Sequence, residues 1–227
     1  MKKLILLSIL LIVGCAPTFS NLQSAKMVEK GNFELTPSFT RSFYTDYIGF
    51  QVAYGLHERF NLRLRYEQMK FNRLTPKSSE CSSDICNTID DAIRDITNNY
   101  YWNFGIKLPI KKIDTYASQI QTAIYLPISF INGSPFAFEP TFLFTIGKKT
   151  DMTLSIKPYI SINNQFDSTP IAYNFGFGYK PKFLSKIIHI IGLSNYNKTL
   201  ILRPEVGIIK EDENVLGHIS LGLSIYP

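Results

Sequence analysis

The chain has 227 residues, of which 45% are hydrophobic and 19% charged, and a formal net charge of +6. The apolar content excludes a disordered chain, and the charged fraction lies below the roughly 25% usual for soluble domains. No Lys/Arg block concentrates the positive charge, which argues against a nucleic-acid partner. Three Cys and three His leave little material for a metal centre, and glycine-rich phosphate loops and CxxC pairs are absent, so no cofactor is expected. No stretch beyond the N-terminus reaches the roughly 18 apolar residues of a spanning helix. That excludes a helical membrane protein and leaves a membrane β-barrel open.

Lys2 and Lys3 precede an apolar run from Leu4 to Val13, which has the length of a secretory signal peptide and is too short to span a bilayer. The run ends in Ile12-Val13-Gly14-Cys15, which resembles a bacterial lipobox. In that family the Cys is lipidated and becomes the first residue of the mature chain. The resemblance implies a signal peptide over 1–14, lipidation of Cys15, and export to a compartment where disulfides persist. Residues 15–30 then read as a lipidated tether, mixing Pro, Ser, Asn, Gln and Lys with no sustained period. Sorting signals just after a lipid-bearing Cys differ between bacterial groups. Ala16-Pro17-Thr18 holds no acidic run of the kind that directs surface export in some of them. This favours an anchor in the inner leaflet of the outer membrane.

From residue 31 onward the period is two rather than 3.6. Phe33, Leu35 and Phe39 stand against Glu34, Thr36, Ser38 and Thr40. Ile48, Phe50, Val52, Tyr54 and Leu56 oppose Tyr47, Gly49, Gln51, Ala53 and Gly55. After a tight turn at His57-Glu58-Arg59, Phe60, Leu62, Leu64 and Tyr66 oppose Asn61, Arg63, Arg65 and Glu67. The pattern returns over 100–108, 119–126, 136–146, 152–162, 173–179, 200–208 and 215–225, giving about ten strands, with eight or twelve as alternatives.

Two architectures suit such strands. A soluble barrel turns its apolar face inward and should carry Lys and Glu outside. Here the second face is mostly Gly, Ser, Thr, Asn, Gln and Ala with a few charges, which suits the narrow interior of a membrane barrel. The predicted fold is therefore all-β, a single antiparallel transmembrane β-barrel over 31–227. Loop lengths point the same way. Connections at 57–59, 109–115 and 147–151 are short, while those at 72–98, 128–135 and 163–171 are longer, as if one end carried turns and the other loops. The long connection 181–198 breaks that alternation. Its Phe183, Leu184, Ile187 and Ile188 suit either a surface helix or an extra strand. Tyr54, Tyr116, Tyr179 and Tyr226 would form one aromatic rim, and Phe43, Tyr100, Phe136 and Tyr173 the other. Pro37, Pro140, Pro158 and Pro204 fall inside strands and mark bulges or strand ends.

A lipobox, a polar tether, about ten amphipathic strands and a last strand ending Leu223-Ser224-Ile225-Tyr226-Pro227 resemble the small outer-membrane β-barrel proteins of Gram-negative bacteria, and among them the lipoprotein members. Ala53-Tyr54-Gly55-Leu56 running into Phe60-Asn61-Leu62-Arg63-Leu64-Arg65-Tyr66 has their strand–turn–strand style. The resemblance covers almost all of the mature chain. It implies outer-membrane lipid and the barrel assembly machinery as partners, with any extracellular ligand unspecified. In that family the final residue is often aromatic and aids assembly; here Tyr226 is followed by Pro227. Relatives include scaffolds, small pores, adhesins and lipid-modifying enzymes, so the fold alone does not name an activity.

The charges on the polar face are the candidate site. Glu34, Glu67, Glu139 and Glu205 are expected to pair with Arg63, Arg65, Lys107, Lys157 and Arg203, because an unpartnered buried charge is very costly. The expected result is an ion-paired, narrow interior and a structural or surface-recognition role; the alternative is a charged constriction in a small channel. Cys81 and Cys86 lie in the 72–98 loop and, in an oxidising compartment, form a local disulfide. Asp84, Asp90, Asp91 and Asp95 of that loop do not match a calcium loop, and no metal is expected. His218-Ile219-Ser220 resembles the His-x-Ser pair of outer-membrane lipid A deacylases. The pair faces the interior by parity and no acidic residue follows it, so no catalytic residues are assigned. A soluble lipid-binding barrel remains if inside and outside are reversed.

Overall fold

The computed structural model describes residues 21–42, 45–71, 100–148, 150–162, 169–181, 199–212 and 214–226. Within them lie strands β1 (Phe33–Ser42), β2 (Thr45–His57), β3 (Phe60–Phe71), β4 (Tyr100–Asp114), β5 (Gln119–Ile131), β6 (Ser134–Phe138), β7 (Thr141–Ile146), β8 (Asp151–Pro158), β9 (Ile160–Ser161), β10 (Ile171–Gly178), β11 (Thr199–Glu211) and β12 (Asn214–Tyr226). Two pairs of these are single strands interrupted at proline. β6 and β7 part at Glu139-Pro140, and β8 and β9 part at Tyr159, just after Pro158. Proline has no N–H to offer a ladder. The gaps stay tied to their neighbours: the Glu139 N–H donates to Pro127 O at 3.2 Å and the Tyr159 N–H to Pro170 O at 2.9 Å.

Counted this way, ten antiparallel strands follow one another around a ring, each beside its neighbours in sequence. β12 pairs with β1 to close it, from Leu35↔Ile225 to Ser42↔His218. The expected ten-stranded antiparallel barrel is borne out. Closure leaves no free sheet edge among these strands.

The ends differ from expectation. The connection expected at 109–115 is absorbed by β4, which runs on to Asp114 against Gln119 of β5. The loop expected at 128–135 is a two-residue turn, Asn132-Gly133, with φ of 50° and 83°. This is the left-handed geometry that matches the twist of a hairpin. Asp212, at the β11 side of the connection to β12, is also left-handed, with φ 50°. Tight turns therefore occur at both ends, and the alternation of loop lengths is weaker than the sequence implied. Phe136, expected on an aromatic rim, is buried at 3% exposure. A bulge opposite Ser129 and Phe130 inserts it as an extra residue and turns it inward.

Polarity is inverted relative to a soluble domain. Thr36, Gln51, Asn61, Glu67, Lys107 and Glu139 are among the many polar residues buried inside. Phe39, Ile48, Phe104, Phe142, Leu154, Ile156, Val206 and Leu221 are among the large apolar side chains exposed outside. A small apolar cluster of Tyr47, Met69, Tyr159, Ala172 and Ile209 fills part of the interior.

Residues 21–30, read from sequence as tether, do not hang free of the barrel. At its lower rim the Gly31 N–H donates to Gly55 O (2.7 Å) and the Gly55 N–H to Asn32 O (2.9 Å). From there the chain runs up the interior, where Leu22, Ala25 and Val28 are 2%, 1% and 4% exposed. It reaches Glu205, midway along β11, at Asn21. Composition hid this path, because a polar segment lining up with polar walls has no apolar period to reveal it.

Hydrogen exchange follows from the closure. Amides of Ser38 to Arg41, held between β2 and β12, are expected to exchange far more slowly than those of Ile110 to Asp114, which lie on an exposed hairpin. Equal rates would show that β1 and β12 do not close the ring.

Candidate functional site: the charged interior

Every strand sends alternate side chains inward, so the interior is a set of charges held at fixed heights by register. In the lower half Glu34 of β1 is the hub. It lies 3.4 Å from Arg63 Nη2 of β3 and 3.6 Å from Arg203 Nε of β11. The Ser224 hydroxyl donates to Glu34 at 2.7 Å, and Arg203 donates to Ser224 at 2.7 Å and to the Tyr226 hydroxyl at 3.0 Å. Asp151, first residue of β8, lies 3.6 Å from Arg203 and 3.0 Å from Lys26 Nζ.

The upper half is organised around Glu139. Lys157 stands 3.6 Å away, and the Tyr101 hydroxyl lies 2.9 Å from both carboxylate oxygens. Asn103 donates to Tyr101 OH and to Ser129, and accepts from Tyr125 OH. Lys157 also sits 4.8 Å from the centroid of the Tyr159 ring. Arg65 pairs with Glu67, two residues along the same strand.

The N-terminal segment completes the arrangement through its backbone. Glu205 accepts the N–H groups of Asn21 (2.6 Å) and Leu22 (2.8 Å). Gln51 donates to the carbonyls of the same two residues at 3.3 and 3.4 Å. Ala25 N–H donates to Thr145 Oγ1 at 2.7 Å, and Lys107 donates to Ser24 O at 3.1 Å and to Lys26 O. Arg63 donates to the Gln23 side chain. Two interior cavities each measure about 10 Å³, the space of a single water, and residues of the segment line both.

The nine charged residues singled out from sequence, Glu34, Arg63, Arg65, Glu67, Lys107, Glu139, Lys157, Arg203 and Glu205, are all buried in the interior. Pairing brings together Glu34 with Arg63 and Arg203, Arg65 with Glu67, and Glu139 with Lys157. Lys107 and Glu205 instead hold the backbone of residues 21–26. Sequence reading missed Asp151, placed in a turn rather than on β8, although it continues the inward alternation of Thr153, Ser155 and Lys157. It also missed Gln51 and Thr145 as anchors for a segment it had placed elsewhere. Cys15, Cys81, Cys86, the signal peptide and the acidic 72–98 loop fall outside the described residues, as do 182–198.

His218 and Ser220 both face inward and are 5% and 1% exposed. The acid that no neighbouring position supplies comes from β11: Glu205 lies 3.7 Å from His218 Nε2. Ser220 is bonded to Thr40 at 2.9 Å. The trio sits within the packed interior, away from the exposed outer face where a lipid substrate would arrive. Among the described residues no group of three His, Cys, Asp or Glu could hold a metal ion.

No protein-family model and no curated protein sequence matches the chain. Among solved structures it is similar to the N-terminal β-barrel domain of Pseudomonas aeruginosa OprF, at 9% identity and a TM-score of 0.36, over 88% of this chain and 100% of that one. It is also similar to the KdgM porin, at 8% identity and a TM-score of 0.41, over 84% of this chain and 97% of that one.

Because Glu34 neutralises two guanidinium groups, Glu34→Ala is expected to cost about 3–5 kcal/mol in folding free energy, the usual result of stranding buried charge. Ser38→Ala, which removes a buried hydroxyl with no hydrogen-bond partner, should stay within about 0.5 kcal/mol. Urea unfolding of the two variants checks both, and similar costs would remove Glu34 from the hub.

Proposed function

We propose that the protein is a bacterial outer-membrane β-barrel, lipid-anchored through Cys15, with a structural or surface-recognition role. The observation that carries the membrane reading is the inverted polarity. Charged and hydroxyl side chains fill the inside, while the outside presents Phe, Ile, Leu and Val at 37–66% exposure. Soluble monomers rarely expose contiguous apolar surface on this scale, whereas hydrocarbon solvates it without cost. A ring closed by hydrogen bonds is also one of the few backbones a bilayer core tolerates.

Further detail supports the orientation of the barrel across a bilayer. Phe50, Tyr66 and Trp102 form an outward aromatic row over β2, β3 and β4, with ring centroids 5.7 and 4.7 Å apart. Tyr54, Tyr116 and Tyr179 are exposed towards one end and Tyr100 towards the other, as in interfacial girdles, whereas Tyr226 turns inward to Arg203. The ion-paired, filled interior favours a scaffold over an open channel, which directs the search for recognition to the loops. The lipid anchor rests on the lipobox resemblance of Ile12-Val13-Gly14-Cys15.

Ile156 faces outward near the middle of its strand. Ile156→Lys is expected to destabilise the vesicle-embedded barrel by about 2–4 kcal/mol, as a lysine does at the bilayer midplane. The same exchange on a water-facing surface would be nearly neutral. Denaturant unfolding in lipid vesicles distinguishes the two, and a neutral result would reject the membrane reading. For the anchor, Cys15→Ser should abolish incorporation of labelled fatty acid; unchanged labelling would remove the lipoprotein assignment.

A further inference from the structure

We infer that the lower mouth of the barrel binds one anionic phospholipid, its headgroup phosphate held by Lys148 and Lys180 and its acyl chains laid along the outer face of β8, β10 and β11. The inference rests on the membrane reading above and adds a ligand to it.

A cavity of about 430 Å³ opens at the lower rim, within the roughly 300–1,000 Å³ of small-ligand sites. Residues 26–29 of the N-terminal segment form one side, and the lower ends of β5, β8, β11 and β12 the other. Its charged lining is Lys26, Lys148, Lys180 and Arg203 against Glu29 and Asp151. At the buried end Asp151 answers both Lys26, at 3.0 Å, and Arg203, at 3.6 Å. Lys148 and Lys180 are exposed, and among the described residues neither forms an ion pair. Asp114 of the neighbouring hairpin is taken by Lys112 at 3.2 Å. The cavity therefore holds more positive charge than its own acids answer.

The strands bring these two lysines together. β8 and β10 are paired neighbours, with Asp151 beside Gly178 at their lower ends. Lys148 lies three residues before Asp151, and Lys180 two residues after Gly178. Lys148 Nζ donates to the carbonyls of Thr115 (2.6 Å) and Tyr116 (3.2 Å). An ammonium has three N–H donors, so one remains for an anion. Tyr116 and Tyr179, beside the two lysines, are among the exposed tyrosines of the interfacial girdle. The lysines thus stand at the height of lipid headgroups.

The same strands offer a place for acyl chains. Just inside the rim Met152 and Phe177 pair across β8 and β10 and are both exposed. Above them lies an outer groove of about 460 Å³, lined by Leu154, Ile156, Tyr173, Phe175, Val206 and Ile208. A soluble anion would use the lysines and leave this groove unused.

The charge of the two ends favours the same ligand. At the upper end Arg41, Lys70 and Lys210 are matched by Asp46, Glu211 and Asp212. At the lower end Lys30, Arg59, Lys111 and Lys112 join the lysines of the cavity, and the acids are only Glu29, Glu58 and Asp114 among the described residues outside the wall. The connection 182–198, which joins two lower strand ends, adds Lys182, Lys186 and Lys198 and no Asp or Glu. Such an excess attracts an anionic lipid surface. Both described ends of the chain, Asn32 entering β1 and Tyr226 leaving β12, lie at this rim. With the anchor in the inner leaflet, the lipid is a glycerophospholipid of that leaflet.

The experiment uses the full chain folded in detergent, with heat-modifiable gel mobility confirming each form and native mass spectrometry counting retained lipid. One dioleoyl phosphatidylglycerol per barrel is expected to be held about tenfold more tightly than dioleoyl phosphatidylcholine, whose headgroup carries its own counter-charge. Lys148→Gln combined with Lys180→Gln is expected to remove the preference. Each single exchange is expected to lose part of it, which keeps the test open if the double variant fails to fold. Lys111→Gln with Lys112→Gln removes as much charge from the same end outside the cavity and is expected to keep the preference. Millimolar inorganic phosphate is expected not to displace the lipid. Equal retention of the two lipids by folded wild type would overturn the inference and leave the membrane barrel standing. So would loss of the preference in both lysine pairs alike, displacement by inorganic phosphate, or lipid A retained in place of phosphatidylglycerol. A barrel recovered soluble without detergent would overturn the membrane reading and the inference together.

Discussion

A charge taken out of water must be answered inside the molecule, and in this barrel that requirement governs the interior. Closure of the ring removes one face of every strand from bulk solvent. On that face stand Arg63, Arg65, Lys107, Lys157 and Arg203, with Glu34, Glu67, Glu139, Asp151 and Glu205 among them. Among the described residues the buried positive and negative groups on the wall are five of each. Most of the pairs link different strands, Glu34 of β1 answering Arg63 of β3 and Arg203 of β11, while Arg65 and Glu67 pair along β3. Hydroxyls and amides from Ser224, Tyr226, Tyr101 and Asn103 add hydrogen bonds to these charges. Such a network strongly penalises loss of any one member, although it adds less net stability than an apolar filling would. Its contribution is to hold one arrangement of strands.

The N-terminal segment belongs to the same accounting. Lys107 and Glu205 are set where their nearest hydrogen-bond partners are peptide groups of residues 21–26 rather than opposite charges on the wall. Lys26 brings a further positive charge and places it against Asp151. The wall is therefore completed by the segment, and much of the segment's backbone is in turn satisfied by the wall. This mutual dependence ties the segment and the wall into one hydrogen-bonded unit.

Much of the architecture was legible as a period. The pairing of Phe60, Leu62, Leu64 and Tyr66 against Asn61, Arg63, Arg65 and Glu67 could be assigned to two faces from sequence, and β3 places them so. Side assignments failed where regular pleating failed: the bulge at Ser129 moved Phe136 inward, and prolines divided two strands. Strand ends were less legible than strand centres, because a turn such as Asn132-Gly133 is only two residues long and its strands continue to it. Residues 21–29 were the largest omission. Their burial depends on polar contacts with distant strands, for which a single sequence offers no local signal.

By itself the sequence determined that the chain would form strands with one apolar and one polar face, because side chains alternate every two residues along an extended backbone. It determined also which charges would share the polar face. Which of them meet was decided by the tertiary structure alone. Asn21 reaches Glu205 across 184 positions and Ala25 reaches Thr145 across 120. Those distances in sequence are bridged by strand register and by the closure of β1 on β12, and the space that admits the N-terminal segment exists only once the ring is shut.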